Sequence, residues 1–211
     1  GSTERSLGPL EISWPDACPV CQSPTVAMGA IVRCTGAHRC NAQVCGLLEH
    51  SVSRKALNIV GLGVQTLEAL FEKGFVRTPA DLYTLEKSHF AQLDGFAELS
   101  ISNALDSIEN TVGTVPLWSF VYSLGILNVG ESTSKALANR FGSFEDIAKA
   151  SLDDFMAMND VGPIVATSLV EFFANESSQW IWRLHDYVKP VAPNKTNSEA
   201  DSRFAGKTFV I

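Results

Sequence analysis

Ile59-Val60-Gly61-Leu62-Gly63 is an apolar-apolar-Gly-apolar-Gly run with a helical pattern on either side. The frame returns as Leu93-Asp94-Gly95-Phe96-Ala97, as Ile126-Leu127-Asn128-Val129-Gly130 and as Met158-Asn159-Asp160-Val161-Gly162. Its last positions, 63, 97, 130 and 162, lie 34, 33 and 32 residues apart. A near-constant period of this size marks an array of one supersecondary unit, in this case helix, tight hairpin, helix. A chain reversing sharply between two helices needs positions that tolerate positive φ, which calls for glycine. The substitutes Asn128 and Asp160 are among the few other residue types that visit the left-handed region readily. The apolar residue between the turn positions (Leu62, Phe96, Val129, Val161) can pin each hairpin to a core. The second helix of each unit starts with free backbone N–H groups beside the turn, an arrangement suited to a phosphate oxygen. Such a hairpin can hold a nucleic-acid backbone without reading its sequence. Gly61, Gly63, Gly95, Asn128, Gly130 and Gly162 are therefore candidate nucleic-acid contacts. One Gly-x-Gly turn reads equally well as a plain interhelical connection; four in register weigh against that.

Upstream of the first frame, Arg54 and Lys55 can turn toward a phosphate, or be merely solvated charges on a short helix. Further upstream stand Cys18-Pro-Val-Cys21, then twelve residues, Cys34, five residues and Cys40. Two close pairs of thiolates a dozen residues apart suit a tetrahedral four-cysteine zinc site, with Cys18, Cys21, Cys34 and Cys40 as ligands. Val26 to Val32 alternates weakly and suggests a short hairpin between the pairs, as in a zinc ribbon. Disulfides are the competing reading, but nothing in the sequence suggests secretion. Four thiolates close the metal shell, which disfavours a catalytic zinc. Cys45 reads as a buried, idle thiol.

The remaining pattern is helical. Helices are expected over 43–50, 64–73, about 86–92, 98–111, from about 117 past Leu124, over 132–141, from Pro163 to about 173, and around Trp180–Tyr187. Thr78-Pro79 starts a short helix with an N-cap and a first-turn proline. Ser143 with Asp146, and Ser151 with Asp154, are two further caps. Trp118, Phe120, Val121 and Leu124 read as core rather than as a stacking platform, and Trp180, Trp182, Leu184 and Tyr187 as packing against the bundle.

The 211 residues suffice for one or two domains with a real core. No apolar run approaches the ~20 residues of a membrane span, and no signal peptide is recognisable. The net charge of −7 argues against a purely electrostatic nucleic-acid binder. The charge is uneven: seven Lys/Arg face five acids over 18–92, two face five over 93–140, and six face ten from 141 onward. The positive end is the one nearest the cysteines.

The cysteine array, the run His50-Ser-Val-Ser-Arg-Lys-Ala-Leu-Asn-Ile-Val-Gly-Leu-Gly63, the run Leu124-Gly-Ile-Leu-Asn-Val-Gly-Glu131, Thr78-Pro-Ala-Asp-Leu82 and Asp160-Val-Gly-Pro163 together resemble the NAD⁺-dependent bacterial DNA ligases. Ala205-Gly-Lys-Thr-Phe-Val-Ile211 is similar to the first strand of that family's terminal BRCT domain. The resemblance implies a mainly α chain. Residues 1–17 would be a tag remnant (Gly1-Ser2) and a linker from an OB domain. Residues 18–45 would form a zinc-ribbon-like finger, and 46–188 a tandem of four helix-hairpin-helix motifs. A linker over 189–203 and a truncated BRCT strand over 204–211 would follow. It further implies an enzyme that seals nicks in duplex DNA during replication and repair. Adenylation and OB domains would lie upstream in the same chain, and NAD⁺ and Mg²⁺ would be bound outside these residues. The finger would be a structural joint holding Zn²⁺. The array would grip nicked double-stranded DNA through its phosphates on the minor-groove side, as a cytoplasmic, nucleoid-associated monomer.

Two departures qualify this. The family's adenylated lysine sits in a Lys-x-Asp-Gly motif, whereas the only Asp-Gly here, Asp94-Gly95, follows Gln92-Leu93. The chain by itself is therefore expected to be non-catalytic. Ala97 also stands where the other frames end in glycine; if that position takes positive φ, the second hairpin is strained and distorted or binds DNA poorly. Two other classes fit the same residues: a stand-alone zinc and hairpin module of a repair complex, and a protein-interaction bundle whose hairpins are mere turns.

Overall fold

The computed structural model describes residues 14–29, 31–175 and 179–193. The truncated strand expected at 204–211, most of the linker expected after 189, and residues 1–13 lie outside the described residues.

A short β-hairpin, β1 (Thr25–Met28) and β2 (Ile31–Cys34), forms where the alternation suggested it, antiparallel with Thr25 opposite Cys34. The segment before it is tied to β1, since Thr25 donates its N–H to Asp16 O and its hydroxyl to Pro15 O. A 3₁₀ turn (Ala37–Arg39) leads to Cys40, which is also the N-cap of α1 (Asn41–Val52). The helix α1 is continuous through residue 45, so finger and bundle share one rigid connection.

Among the described residues, every element named after α1 is helical. The order is α2 (Val64–Glu72), a 3₁₀ turn (Pro79–Thr84), α3 (Lys87–Phe90), α4 (Glu98–Glu109), α5 (Leu117–Ser123), α6 (Glu131–Phe141), α7 (Phe144–Lys149), α8 (Leu152–Met156), α9 (Pro163–Ala174) and α10 (Trp180–Val188). The starts of α2, α4, α6 and α9 each fall one residue after a frame. Their N-caps are Gly63, Ala97, Gly130 and Gly162. The expected caps form: Ser151 and Asp154 make a reciprocal capping box, as do Thr78 and Asp81, and Ser143 accepts from Asp146 N.

The true repeat is about twice the period of the frames. Gly74 (φ 78°) ends the first long helix and Gly142 (φ 79°) follows α6; each is succeeded by a capped turn, a second short helix, a frame and a long helix. Matching positions lie 65–68 residues apart: Thr78 and Ser143 as caps, Gly61 and Asn128 as turn residues, Gly74 and Gly142 after the long helices. Helix α5 leads into the third frame as the end of α1 leads into the first.

The repeats are joined by polar contacts as well as by one continuous apolar core. Between α5 and α1 with the turn after it, His50 Nε2 lies 2.7 Å from Tyr122 O, Ser51 Oγ donates to Ser123 O at 2.8 Å, and Ser119 Oγ donates to Lys55 O at 2.7 Å. Helix α10 spans both repeats. Tyr187 stacks on Tyr83 of the first, with Arg183 3.3 Å from Asp81, while Trp182 and His185 pack on Phe144 of the second. The chain after α10 is stitched down through Leu117 N to Val191 O and Val191 N to Val115 O, both 2.8 Å. Phe90, Phe120, Phe144 and Phe155 are the largest fully buried side chains. Phe120 and Val121 are thus core, as expected.

Candidate metal centre and nucleic-acid interface

Close cysteine spacing puts two thiols on the turn Cys18–Cys21, a third at the end of β2 and a fourth at the start of α1. The sulfurs of Cys18, Cys21, Cys34 and Cys40 all lie within 4.8 Å of one another, with Cys21 and Cys34 at 3.4 Å. A tetrahedral zinc at ~2.3 Å from each sulfur needs S···S separations of roughly 3.8 Å, so the cluster has the right size. Two further observations fit a metal. Gly36 N–H points at Cys34 Sγ (3.2 Å), and a Cβ on Gly36 would stand 2.7 Å from Cys21 Sγ and 3.1 Å from Cys34 Sγ. The glycine therefore keeps the sulfurs together for steric reasons, as its backbone is right-handed (φ −65°).

The thiols compete for charge. Hydrogen bonds from the Ser23 side chain and backbone pull the Cys21 thiol down to about 6, and backbone N–H groups of Cys21 and Val20 lower Cys18. Gly36 N–H favours a thiolate at Cys34, but burial and the neighbouring sulfurs outweigh it and push that thiol up to about 12. Burial raises Cys40. Without a cation only part of this cluster ionises at neutral pH, whereas a bound dication makes four thiolates compatible. Cys45 stays outside the cluster, buried and donating to Asn41 Oδ1 at 2.9 Å.

The frames differ at the first turn position but agree at the last, which corrects the expectations for Asp160 and Ala97. Gly61 (φ 93°), Gly95 (φ 81°) and Asn128 (φ 63°) are left-handed at the first turn position; Asp160 is not. The last position is extended in every copy: Gly63 φ −75°, Ala97 φ −81°, Gly130 φ −92° and Gly162 φ −86°. Ala97 is therefore unstrained and the second hairpin is not distorted by it. The pinning residues behave as expected, with Leu62, Val129 and Val161 buried and Phe96 half-buried on the core.

A Cβ added at Gly63, Gly130 or Gly162 would meet nothing within 4 Å. Neither backbone conformation nor internal packing demands glycine there. What remains is room on the outer surface, since all three are exposed. Gly61, Gly95 and Asn128 are exposed too. The hairpins are paired. Val60 N donates to Ser107 Oγ of α4 at 2.7 Å, and Asn128 Nδ2 donates to Ser168 Oγ of α9 at 3.0 Å, so one side of each hairpin pair is locked to the next unit's helix.

Arg54 is exposed. The Lys55 ammonium reaches the start of α6, 2.8 Å from Glu131 Oε2. Lys135 Nζ lies 2.7 Å from the other oxygen of the same carboxylate. Hydrogen bonds from Lys135 and Lys55 hold the Glu131 carboxyl down at about 2. The finger also approaches the third hairpin: a groove of about 680 Å³ is lined by Arg33, Gln43, Leu47, His50, Leu127 and Asn128 among others.

Sequence reasoning did not find Ser107, Ser168, Glu131 or Lys135. It also missed the exposed aliphatics beside the turns, Val60 and Leu127 in the first hairpin of each pair and Leu99 and Ile164 in the second. Their 67- and 65-residue offsets were a signal that only the doubled period makes readable.

A family model described as a helix-hairpin-helix motif matches residues 119–181. The match runs from within α5 to the start of α10 and contains the third and fourth frames. The chain thus carries a helix-hairpin-helix motif, which suggests nucleic-acid binding, together with a four-cysteine cluster able to hold a zinc ion. No helix among the described residues is long and apolar enough to cross a membrane.

Proposed function

We propose that the chain is the DNA-gripping, non-catalytic part of an NAD⁺-dependent DNA ligase. It combines a structural zinc finger with a tandem of four helix-hairpin-helix motifs that hold nicked duplex DNA by its backbone. The observation that carries the DNA part is the use of glycine at positions 63, 130 and 162. Extended backbone and empty space around the missing Cβ leave close external approach as the physical use of glycine. A phosphate seated against first-turn N–H groups is such an approach. The family match over one hairpin pair, and a serine bond that likewise joins the first hairpin of the other pair to the following long helix, support a tandem of four. The ligase context rests on the resemblance of the cysteine array and the first and third frames. In that enzyme the domains holding NAD⁺ and Mg²⁺ would perform the nucleotidyl transfers, and this part would position the nick.

Zn²⁺ would be held by Cys18, Cys21, Cys34 and Cys40. With four thiolates as ligands it supplies structure, fixing the turn at Cys18–Cys21 and the end of β2 to the start of α1.

A protein-interaction bundle is the second reading. It is favoured by the net charge of −7 and by the exposed finger aliphatics Val26, Met28 and Ile31. Equilibrium binding to a nicked duplex across a salt range separates the two. Backbone gripping predicts affinity that falls linearly in log salt, with little difference between unrelated sequences. Gly63→Ala and Gly130→Ala should then weaken binding while changing fold stability by no more than about 1 kcal/mol. No binding at low salt, or full binding by both alanine variants, would remove the hairpins as contacts. A Lys-x-Asp-Gly motif upstream in the intact reading frame would distinguish the ligase from a stand-alone module.

A further inference from the structure

We propose that Lys55 and Lys135 form a two-ammonium phosphate site on the nucleic-acid face, whose place is held in the free protein by the carboxylate of Glu131. This rests on the nucleic-acid reading above. The two lysines come from different repeats, one ahead of the first hairpin and one on α6 after the third. Their ammonium groups nevertheless converge on one carboxylate, 2.8 Å from one oxygen and 2.7 Å from the other. Two cations bridging two oxygens of a single anion is the arrangement a phosphodiester also satisfies.

The lysines are held from behind. Lys135 Nζ lies 4.6 Å from the centre of the Trp118 ring, and the Lys55 carbonyl accepts from Ser119 Oγ of α5. Helix α5 therefore positions both. Their side chains remain open, with relative exposures of 66% for Lys55 and 47% for Lys135, so an external anion can reach them. Glu131 is the first residue of α6, directly after Gly130, and its carboxylate lies where a phosphate on the third hairpin would add its charge. Of the four hairpin helices, α2 and α9 begin without an acid, while α4 and α6 carry Glu98 and Glu131 in the first turn. Glu131 is the one of these two that bridges two lysines among the described residues. Exposed ion pairs hold weakly and exchange readily with other anions. The site explains how an acidic protein keeps cations at a hairpin without presenting them as a bare positive patch.

The alternative is that the triad merely clasps the two repeats, and the two readings differ in sign. Removing the placeholder charge (Glu131→Gln) should tighten binding to nicked duplex about threefold or more at low salt. It should also steepen the log–log salt slope by roughly 0.9 for each phosphate newly engaged. Adding Lys55→Met and Lys135→Met to that variant should erase the gain. The same two lysine substitutions with Glu131 retained should weaken binding and flatten the slope, which tests the site even if Glu131→Gln is poorly folded. Equal or weaker binding by a folded Glu131→Gln protein overturns the placeholder, as does a gain that survives loss of both lysines. Unchanged binding by the double lysine variant overturns the phosphate site. Absence of binding by the wild type and by Glu131→Gln alike overturns the nucleic-acid reading together with this one.

Discussion

The finger and the helical bundle are stabilised by different physics. In residues 14–40 the buried hydrophobic positions are Cys18 and Cys40, while Val20, Val26, Met28 and Ile31 are about half exposed. A segment of that size cannot bury enough apolar surface to offset its ordering entropy. Its order is therefore tied to the cysteine cluster. The bundle has the opposite character: a core running from Val44 to Val188, no buried side-chain N or O atom left without a partner among the described residues, and side-chain caps at the starts of the Pro79–Thr84 turn, α3, α7 and α8. One region depends on four sulfurs and the other on many small apolar contacts, so the two should fail independently.

The sharpest break is at the metal. Cys34→Ser should release zinc and remove hydrogen-exchange protection from residues 14–40, leaving the bundle's melting transition in place. Structural zinc contributes on the order of 10 kcal/mol in small fingers, far more than the apolar contacts available here. Zinc affinity should also fall as pH falls, because protons compete for all four thiols, and most readily for Cys34, with its thiol at about 12, and for the raised Cys40. Retention of one zinc equivalent with unchanged stability would sink the four-cysteine assignment.

The reciprocal break is in the core. Phe120 is fully buried, edge-on to Phe144 at 5.0 Å and to His185 at 5.8 Å. Phe120→Ala should cost about 3–5 kcal/mol by denaturant melting of the bundle. Zinc stoichiometry should stay unchanged. Loss of zinc in that variant would mean that finger and bundle fold as one cooperative unit, through the shared helix α1.

The smallest effect concerns a single cap. Ser151 accepts from Asp154 N at 3.2 Å, and its own hydroxyl and N–H bind the Asp154 carboxylate at 2.6 and 2.9 Å. Ser151→Ala should lower bundle stability by ~1 kcal/mol. The Ser151 hydrogen bonds hold the Asp154 carboxyl below its ordinary 3.8. Its contribution is present above that value and is lost as pH falls through the lowered one. The difference between wild type and Ser151→Ala should therefore shrink in acid; a difference that is constant with pH would assign the cap's effect to the hydroxyl alone.

Much of the fold was legible because it is local. Helix starts were readable from Thr78, Ser143, Ser151 and Pro163, since capping depends on residues within three positions. The sulfur cluster was readable because metal-ligand spacing is a short-range constraint. The last position of each frame, glycine in three of the four, was misread for an equally physical reason. Gly-x-Gly shows that two positions favour glycine, but it does not say whether φ or an external surface is the cause. Only the observed φ of −81° at Ala97, beside −75°, −92° and −86° at its counterparts, separates the two.

By itself the sequence determined the element types, the four turns and the four clustered cysteines, each set by residues close in the chain. The tertiary structure decided what depends on distant residues meeting. The 33-residue rhythm proved to be a doubled unit of about 66, since hairpins alternate between a serine tether on the next unit's helix and none. Lys55 does not stand free beside the first hairpin; it pairs with Glu131, 76 residues away, because α1 and α5 pack side by side. Local propensity has no range over such a separation, so the charge balance around Lys55 is a property of packing.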